Sequence, residues 1–120
     1  MHGSEELERA AEILRTIAHP LRLRILSLLC RGEESVGGIS QRLRARPAST
    51  SQALQILRRE RLVAATRGQG RASYRLDDPT LRELVPAIER TLLAAARAPA
   101  DPDRSPAREL PVGPDPDRVA

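Results

Sequence analysis

A chain of 120 residues, 30% of them charged and with a net charge of +4, is sized for one hydrophobic core. It has no Trp, no Phe and a single tyrosine, Tyr74, so the core must be aliphatic, which favours helices over an aromatic-rich sandwich. The lone cysteine, Cys30, excludes a disulfide within the chain and points to a reducing compartment. The acidic opening MHGSEELERAAE lacks the apolar stretch of a secretory leader. The longest apolar run, around ILSLLC, is too short to span a bilayer. A soluble, cytoplasmic protein with no membrane partner is expected.

Taken in chain order, Ser4 followed by Glu5 and Glu6 predicts a helix N-cap with acids in the first turn. Leu7, Ala11, Leu14, Ile17 and Ala18 then recur on one face, giving a first helix to about residue 18. His19-Pro20 breaks it, and Pro20 is suited to the first position of a second helix. Leu21, Ile25, Leu28 and Leu29 line that helix until Arg31-Gly32 stops it. Ser35 caps a short third helix carrying Val36, Ile39 and Leu43, with Gly37-Gly38 weakening its first turn by about 1 kcal/mol each relative to alanine.

Pro47 opens a fourth helix with Thr50, Ala53, Leu54 and Leu57 facing inward. Residues 62–66 and 71–76 predict two short strands around the turn Gly68-Gln69-Gly70. Asp78 caps a last helix striped by Leu81, Leu84, Val85, Ile88, Leu92 and Ala95, in which Pro86 is expected to force a kink or a restart. From residue 99 on, six prolines in 22 residues and scarce apolar groups predict a tail without a core, 98–120, behind a domain of residues 1–97.

All twenty basic residues are arginine, and they are unevenly spread. Residues 35–76 hold nine of them against one acid, Glu60, for a net charge of +8. The tail from residue 99 is net −2 and the first 18 residues are acidic. A block of positive charge with almost no interleaved acid is the footprint of a phosphate-binding surface. The predicted order is α-α-α-α-β-β-α, mainly α with a small β-hairpin. Two short helices joined by a tight turn and followed by a two-stranded ribbon make a winged helix-turn-helix. In that motif the second helix of the pair enters the major groove of double-stranded DNA.

The helical step of about 100° assigns the faces of the fourth helix. With Thr50, Ala53, Leu54 and Leu57 inward, Gln52, Gln55 and Arg59 point outward, with Ser49 on the flank. Glutamine can bond adenine through two atoms at once, whereas serine discriminates less. Arg44, Arg46, Ser51 and Arg58 are candidates for phosphate contacts, which position without specifying. Arg67, Gln69 and Arg71 belong to the wing.

The run LRTIAHPLRLRILSLL, then ESVGGISQRL, RPASTSQALQILRRERLV and RGQGRASYRL, resembles the arsenic-repressor-like (ArsR/SmtB) family of bacterial transcriptional regulators. The resemblance covers residues 7 to about 95, and rests most on HPLRLRIL and on the S-x-x-L-x-x-L-x-x-x-x-L-V frame from Ser51 to Val63. It implies a homodimer formed by the first and last helices, a groove-reading fourth helix and a gene-repressing role. The candidate dimer residues are Leu7, Leu14 and Ile17 on the first helix, with Leu84, Ile88 and Leu92 on the last.

The chain departs from the sensing motifs of the family it resembles. Ser35-Val36-Gly37 stands where two cysteines flank a valine, and Thr80 and Thr91 stand where histidines accompany the aspartate matched by Asp78. Zinc-like ions require thiolate or imidazole at such positions. Ser27 takes the place of the first cysteine of the sulfur-responsive pair, and the last helix has none. No metal site and no cofactor are expected, and a small-molecule effector is unassigned. Cys30 has two readings, a small buried hydrophobe and a one-thiol sensor. His19 is a helix-end residue whose titration range leaves a pH role open. No catalytic spacing is present, so an enzyme is not expected. Two functions remain, a dimeric sequence-specific repressor binding an imperfect inverted repeat and a winged-helix module that binds protein through the same face.

Overall fold

The computed structural model describes residues 3–97; the Pro-rich tail expected over 98–120 lies outside the described residues. The elements are α1 (Ser4–Ile17), α2 (Pro20–Leu29), β1 (Glu34–Ser35), α3 (Val36–Leu43), α4 (Pro47–Arg59), β2 (Val63–Gly68), β3 (Arg71–Leu76) and α5 (Leu81–Ile88). One π-helical segment, Glu89–Leu93, follows, and then α6 (Ala94–Arg97).

Helix starts follow from local chemistry. Pro20 and Pro47 occupy first positions, where the missing N–H has no helical role. The Ser35 hydroxyl accepts from the Gly38 amide at 3.1 Å, capping α3 as expected. Two expected caps sit elsewhere. Gly3, not Ser4, is the N-cap of α1. Asp78 stands two residues before the Thr80 cap of α5 and accepts from the Thr80 hydroxyl and amide, which hold its carboxyl below its ordinary range.

Helices α3 and α4 both end on arginines in the left-handed region. Arg44 has φ 53°, with the Ala45 amide on Ser40 O at 3.0 Å; Arg61 has φ 61°, with the Leu62 amide on Leu57 O at 2.9 Å. These are Schellman closures, a geometry in which glycine is the usual residue. They turn the chain sharply between α3 and α4 and again after α4.

The sheet has three strands in the order β1-β3-β2, all antiparallel. Val63 faces Leu76 at the base of the hairpin and Gly68 faces Arg71 at its tip. The turn is therefore two residues long, Gln69-Gly70, with φ 54° and 76°, the pairing that suits strand twist. Gly68 belongs to the strand rather than to the turn. β1, which pairs Glu34 with Tyr74, enlarges the expected two-stranded ribbon.

The core is aliphatic throughout. Ile25, Leu26 and Leu29 of α2 meet Leu54 and Leu57 of α4, Leu81 and Val85 of α5, and Val63 and Leu76 of the hairpin. Pro86 cannot supply the amide for the preceding helical turn. The last helix leaves α geometry at Glu89, passes through the π segment and restarts at Ala94.

Candidate nucleic-acid interface

Helix α4 is set by the packing beneath it. Thr50, Ala53, Leu54 and Leu57 are buried, and the Ser40 hydroxyl of α3 donates to Thr50 Oγ1 at 3.0 Å inside the core. That bond fixes the rotation of α4 against α3. Arg24 of α2 donates to Leu43 O at 2.7 Å, holding the last carbonyl of α3 at the start of the turn. Neither contact has a signal in the sequence. One joins two small hydroxyl residues ten positions apart, and the other ends on a backbone carbonyl.

With that rotation, Ser49, Gln52, Gln55, Arg58 and Arg59 are exposed along α4, and Ser51 is half-buried. Arg44 and Arg46 are exposed in the turn leading into it, while Arg67, Gln69 and Arg71 are exposed at the hairpin tip. The assigned outward face is therefore the solvent face. At the start of α4 the Arg46 side chain supplies no cap, and the first intrahelical bond is Thr50 N to Arg46 O at 2.9 Å. The Ala48 and Ser49 amides are left facing outward, a geometry that suits a phosphate.

Two groups of arginines behave differently. Arg9, Arg22, Arg24, Arg42, Arg75 and Arg82 spend their guanidinium groups on carboxylates, carbonyls or a hydroxyl of the chain itself. Among the described residues, the guanidinium groups of Arg44, Arg46, Arg58, Arg59, Arg61, Arg67 and Arg71 make no hydrogen bond or ion pair within the chain. Seven of the nine arginines of the basic block are thus uncommitted, and all seven are exposed on α4, its two ends or the wing. Its one acid, Glu60, is already engaged by Arg9.

The candidate dimer residues are divided by the fold. Leu7, Leu14 and Leu92 are 61%, 53% and 60% exposed, whereas Ile17 is 3% exposed and belongs to the protomer's own core. Ile17 ends α1 where the chain bends into α2, so its side chain turns inward, out of the exposed stripe. Leu84 and Ile88 are half-buried against that core.

Among the described residues, no three of His, Cys, Asp and Glu converge to hold a metal ion. Cys30 is half-buried, with Sγ 3.9 Å from Leu81 O. Burial pushes its thiol above the ordinary range, the Glu89 charge acts in the same direction, and Arg82 opposes them. A thiolate sensor needs the opposite shift. Among the described residues no helix is long and apolar enough to cross a membrane.

Comparison with known proteins agrees with this geometry. Residues 19–65 match the model of the bacterial regulatory protein arsR family. The chain is 40% identical over 85 residues to the HTH-type transcriptional regulator Rv0081 of Mycobacterium tuberculosis, covering 70% of this chain and 74% of that protein. The chain belongs to the arsR family.

Within that family it is also 33% identical over 88 residues to the biofilm growth-associated repressor of Xylella fastidiosa, covering 70% of this chain and 77% of the relative. Among solved structures, the homodimeric winged helix-turn-helix DNA-binding domain Mb0332 of Mycobacterium bovis superposes with a TM-score of 0.69 at 26% identity, over 79% of this chain and 91% of that one. This arsR-family member is a transcriptional regulator built on a winged helix-turn-helix.

Proposed function

We propose that the chain is a homodimeric repressor that binds an imperfect inverted repeat in double-stranded DNA, α4 reading the major groove and the hairpin holding the adjacent backbone. The observation that carries this reading is the set of seven uncommitted, exposed arginines around α4 and the wing, framing exposed Gln52 and Gln55. Guanidinium groups at phosphates supply affinity and register, and the two amides on the reading face supply base discrimination. Ser49, Ser51, Arg44, Arg46 and Arg58 take backbone contacts, Arg59 flanks the reading face, and Arg67, Gln69 and Arg71 serve the wing.

Dimerisation uses the exposed leucines of the terminal helices, Leu7, Leu14 and Leu92, and residues 1–97 carry both DNA binding and dimerisation. Large apolar side chains left bare on two helices call for a covering surface. The family relative Mb0332 is a homodimer, and the Xylella relative is a repressor. A two-fold dimer places two α4 helices about one DNA turn apart, roughly 34–36 Å, which dictates a two-fold related pair of half-sites. The raised thiol of Cys30, and Thr80 and Thr91 standing where the family's histidines would be, support control by something other than thiol oxidation or zinc-like metals. Selection of bound duplexes from a random pool tests the reading: enrichment of paired half-sites supports it, and recovery of no preferred sequence opposes it.

A further inference from the structure

A cavity of about 530 Å³ opens between α2, the end of α3 and the π segment, away from the α4 face. It lies within the roughly 300–1,000 Å³ of small-molecule sites. Leu23, Leu28 and Leu43 form one wall and Leu93, 47% exposed, stands on the other; Leu92, also in the lining, is assigned above to the dimer contact. Three arginines, Arg24, Arg31 and Arg42, stand around it against one acid, Glu89. Arg42 is paired with Glu34 at 3.3 Å and Arg24 is bonded to Leu43 O. Among the described residues the Arg31 guanidinium has no partner in the chain. The half-buried Ser27 hydroxyl also lines the space. An apolar trough with excess positive charge at its rim is complementary to one ligand chemistry, an anionic head on an apolar body. The π segment supplies one side of it, and such widened turns recur at functional sites.

We propose that this cavity binds an amphipathic organic anion, a carboxylate on an aliphatic body, and that its occupation controls the reading helix; the control half rests on the DNA-binding reading given above. Arg31 receives the carboxylate, and the leucines receive the chain. Arg24 provides the link to α4. Its bond to Leu43 O holds the carbonyl immediately before left-handed Arg44, and a carboxylate in the cavity competes for the same guanidinium. A guanidinium pairs more strongly with a carboxylate than with an uncharged carbonyl, so an occupied cavity releases Leu43 O and loosens the turn that sets α4.

Decanoate and the uncharged 1-decanol serve as probes, titrated calorimetrically into the full chain without DNA. The expected result is saturable decanoate binding at one per chain, with decanol weaker by about tenfold or more. Arg31→Ala should weaken decanoate by about tenfold and leave decanol unchanged, and Leu93→Asp should abolish both while circular dichroism shows the fold intact. Equal binding of the two probes, or no saturable binding, overturns the site. A Leu93→Asp chain that becomes monomeric in sedimentation also overturns it, because a second copy then occupies the trough. In a separate arm, saturating decanoate should lower affinity for a selected duplex at least tenfold in the unmodified chain and not in Arg31→Ala. Decanoate binding without that loss overturns the control half alone. Failure of the unliganded chain to bind duplex contradicts the regulator reading while leaving the calorimetric arm to decide the site.

Discussion

Arg9 of α1 grips Glu60 at the end of α4 twice, through Nη1 to the carboxylate at 3.1 Å and through Nη2 to the backbone carbonyl at 2.9 Å. The only acid of the basic block is thereby engaged by the first helix, which it ties to the end of α4. Both side chains are partly exposed, so the ion pair itself contributes little, and the bond to a helix C-terminal carbonyl adds to it. Arg9→Ala is expected to lower the unfolding free energy by about 0.5–1.5 kcal/mol in urea melts. It should also weaken duplex binding although Arg9 lies outside the reading face. A variant with unchanged stability would show that the contact does not tie the two helices.

The buried bond from Ser40 to Thr50 sets the rotation of α4. Thr50→Val preserves volume but leaves the Ser40 hydroxyl without its acceptor, at a cost of about 1–2 kcal/mol. Adding Ser40→Ala should recover part of that loss, since removing both partners is milder than orphaning one. Denaturant midpoints of the two single variants and the double variant give the coupling; simple additivity would mean that the two hydroxyls act independently.

Arg61 closes α4 in the left-handed region, φ 61°, where a side chain costs about 1–2 kcal/mol and glycine gives back part of the gain through backbone entropy. Arg61→Gly is expected to raise stability by about 0.5–1 kcal/mol, read as a higher melting temperature. A fall in melting temperature would mean that the guanidinium contributes more to the fold than the strained backbone costs.

Most of this was legible in the residue order, and the failures have a common physical cause. The inward set of α4, the prolines that open α2 and α4 and the Ser35 cap are local, and helical periodicity or capping chemistry exposes them. β1 was missed because a two-residue strand has no alternation to detect, and its partners Tyr74 and Ser73 lie 38 or more positions away. The closures at Arg44 and Arg61 were missed because glycine, the usual signal, is absent. Ile17 fits the exposed stripe of α1 by spacing, but the bend into α2 buries it. The uncommitted state of the seven arginines depends on which carboxylates and carbonyls the fold brings near the others, and no one-dimensional pattern contains that.

The Cys30 thiol is expected to behave as a core group. Its proton is held in the folded state by burial, so the unfolded chain ionises first. Folding stability is therefore untouched below the ordinary thiol range and falls as pH rises through it. Alkylation by iodoacetamide at pH 8 should be slower than for a free cysteine, and Cys30→Ser should leave the response of duplex binding to oxidant or zinc unchanged. Rapid alkylation, or an oxidant response that disappears in Cys30→Ser, would restore a sensing role to this residue.

Leu7 and Leu14 lie on the bare face of α1 and should carry the dimer contact. Leu7→Glu together with Leu14→Glu is expected to shift sedimentation at micromolar concentration from dimer to monomer, with the helical circular dichroism retained. A monomer in the unmodified chain would remove the symmetry from which the inverted repeat is argued.

The central claim, that α4 specifies and the wing anchors, is tested most directly by a salt series of duplex affinities. The unmodified chain, Gln52→Ala and Arg71→Ala are each titrated with a selected duplex and a scrambled one. The account predicts a steep fall of affinity with salt for the unmodified chain. Gln52→Ala should lose about 1–3 kcal/mol on the selected duplex alone. Arg71→Ala should weaken both duplexes together and lower the salt slope by roughly 1 per protomer. Equal loss on both duplexes in Gln52→Ala, with discrimination intact, would contradict it.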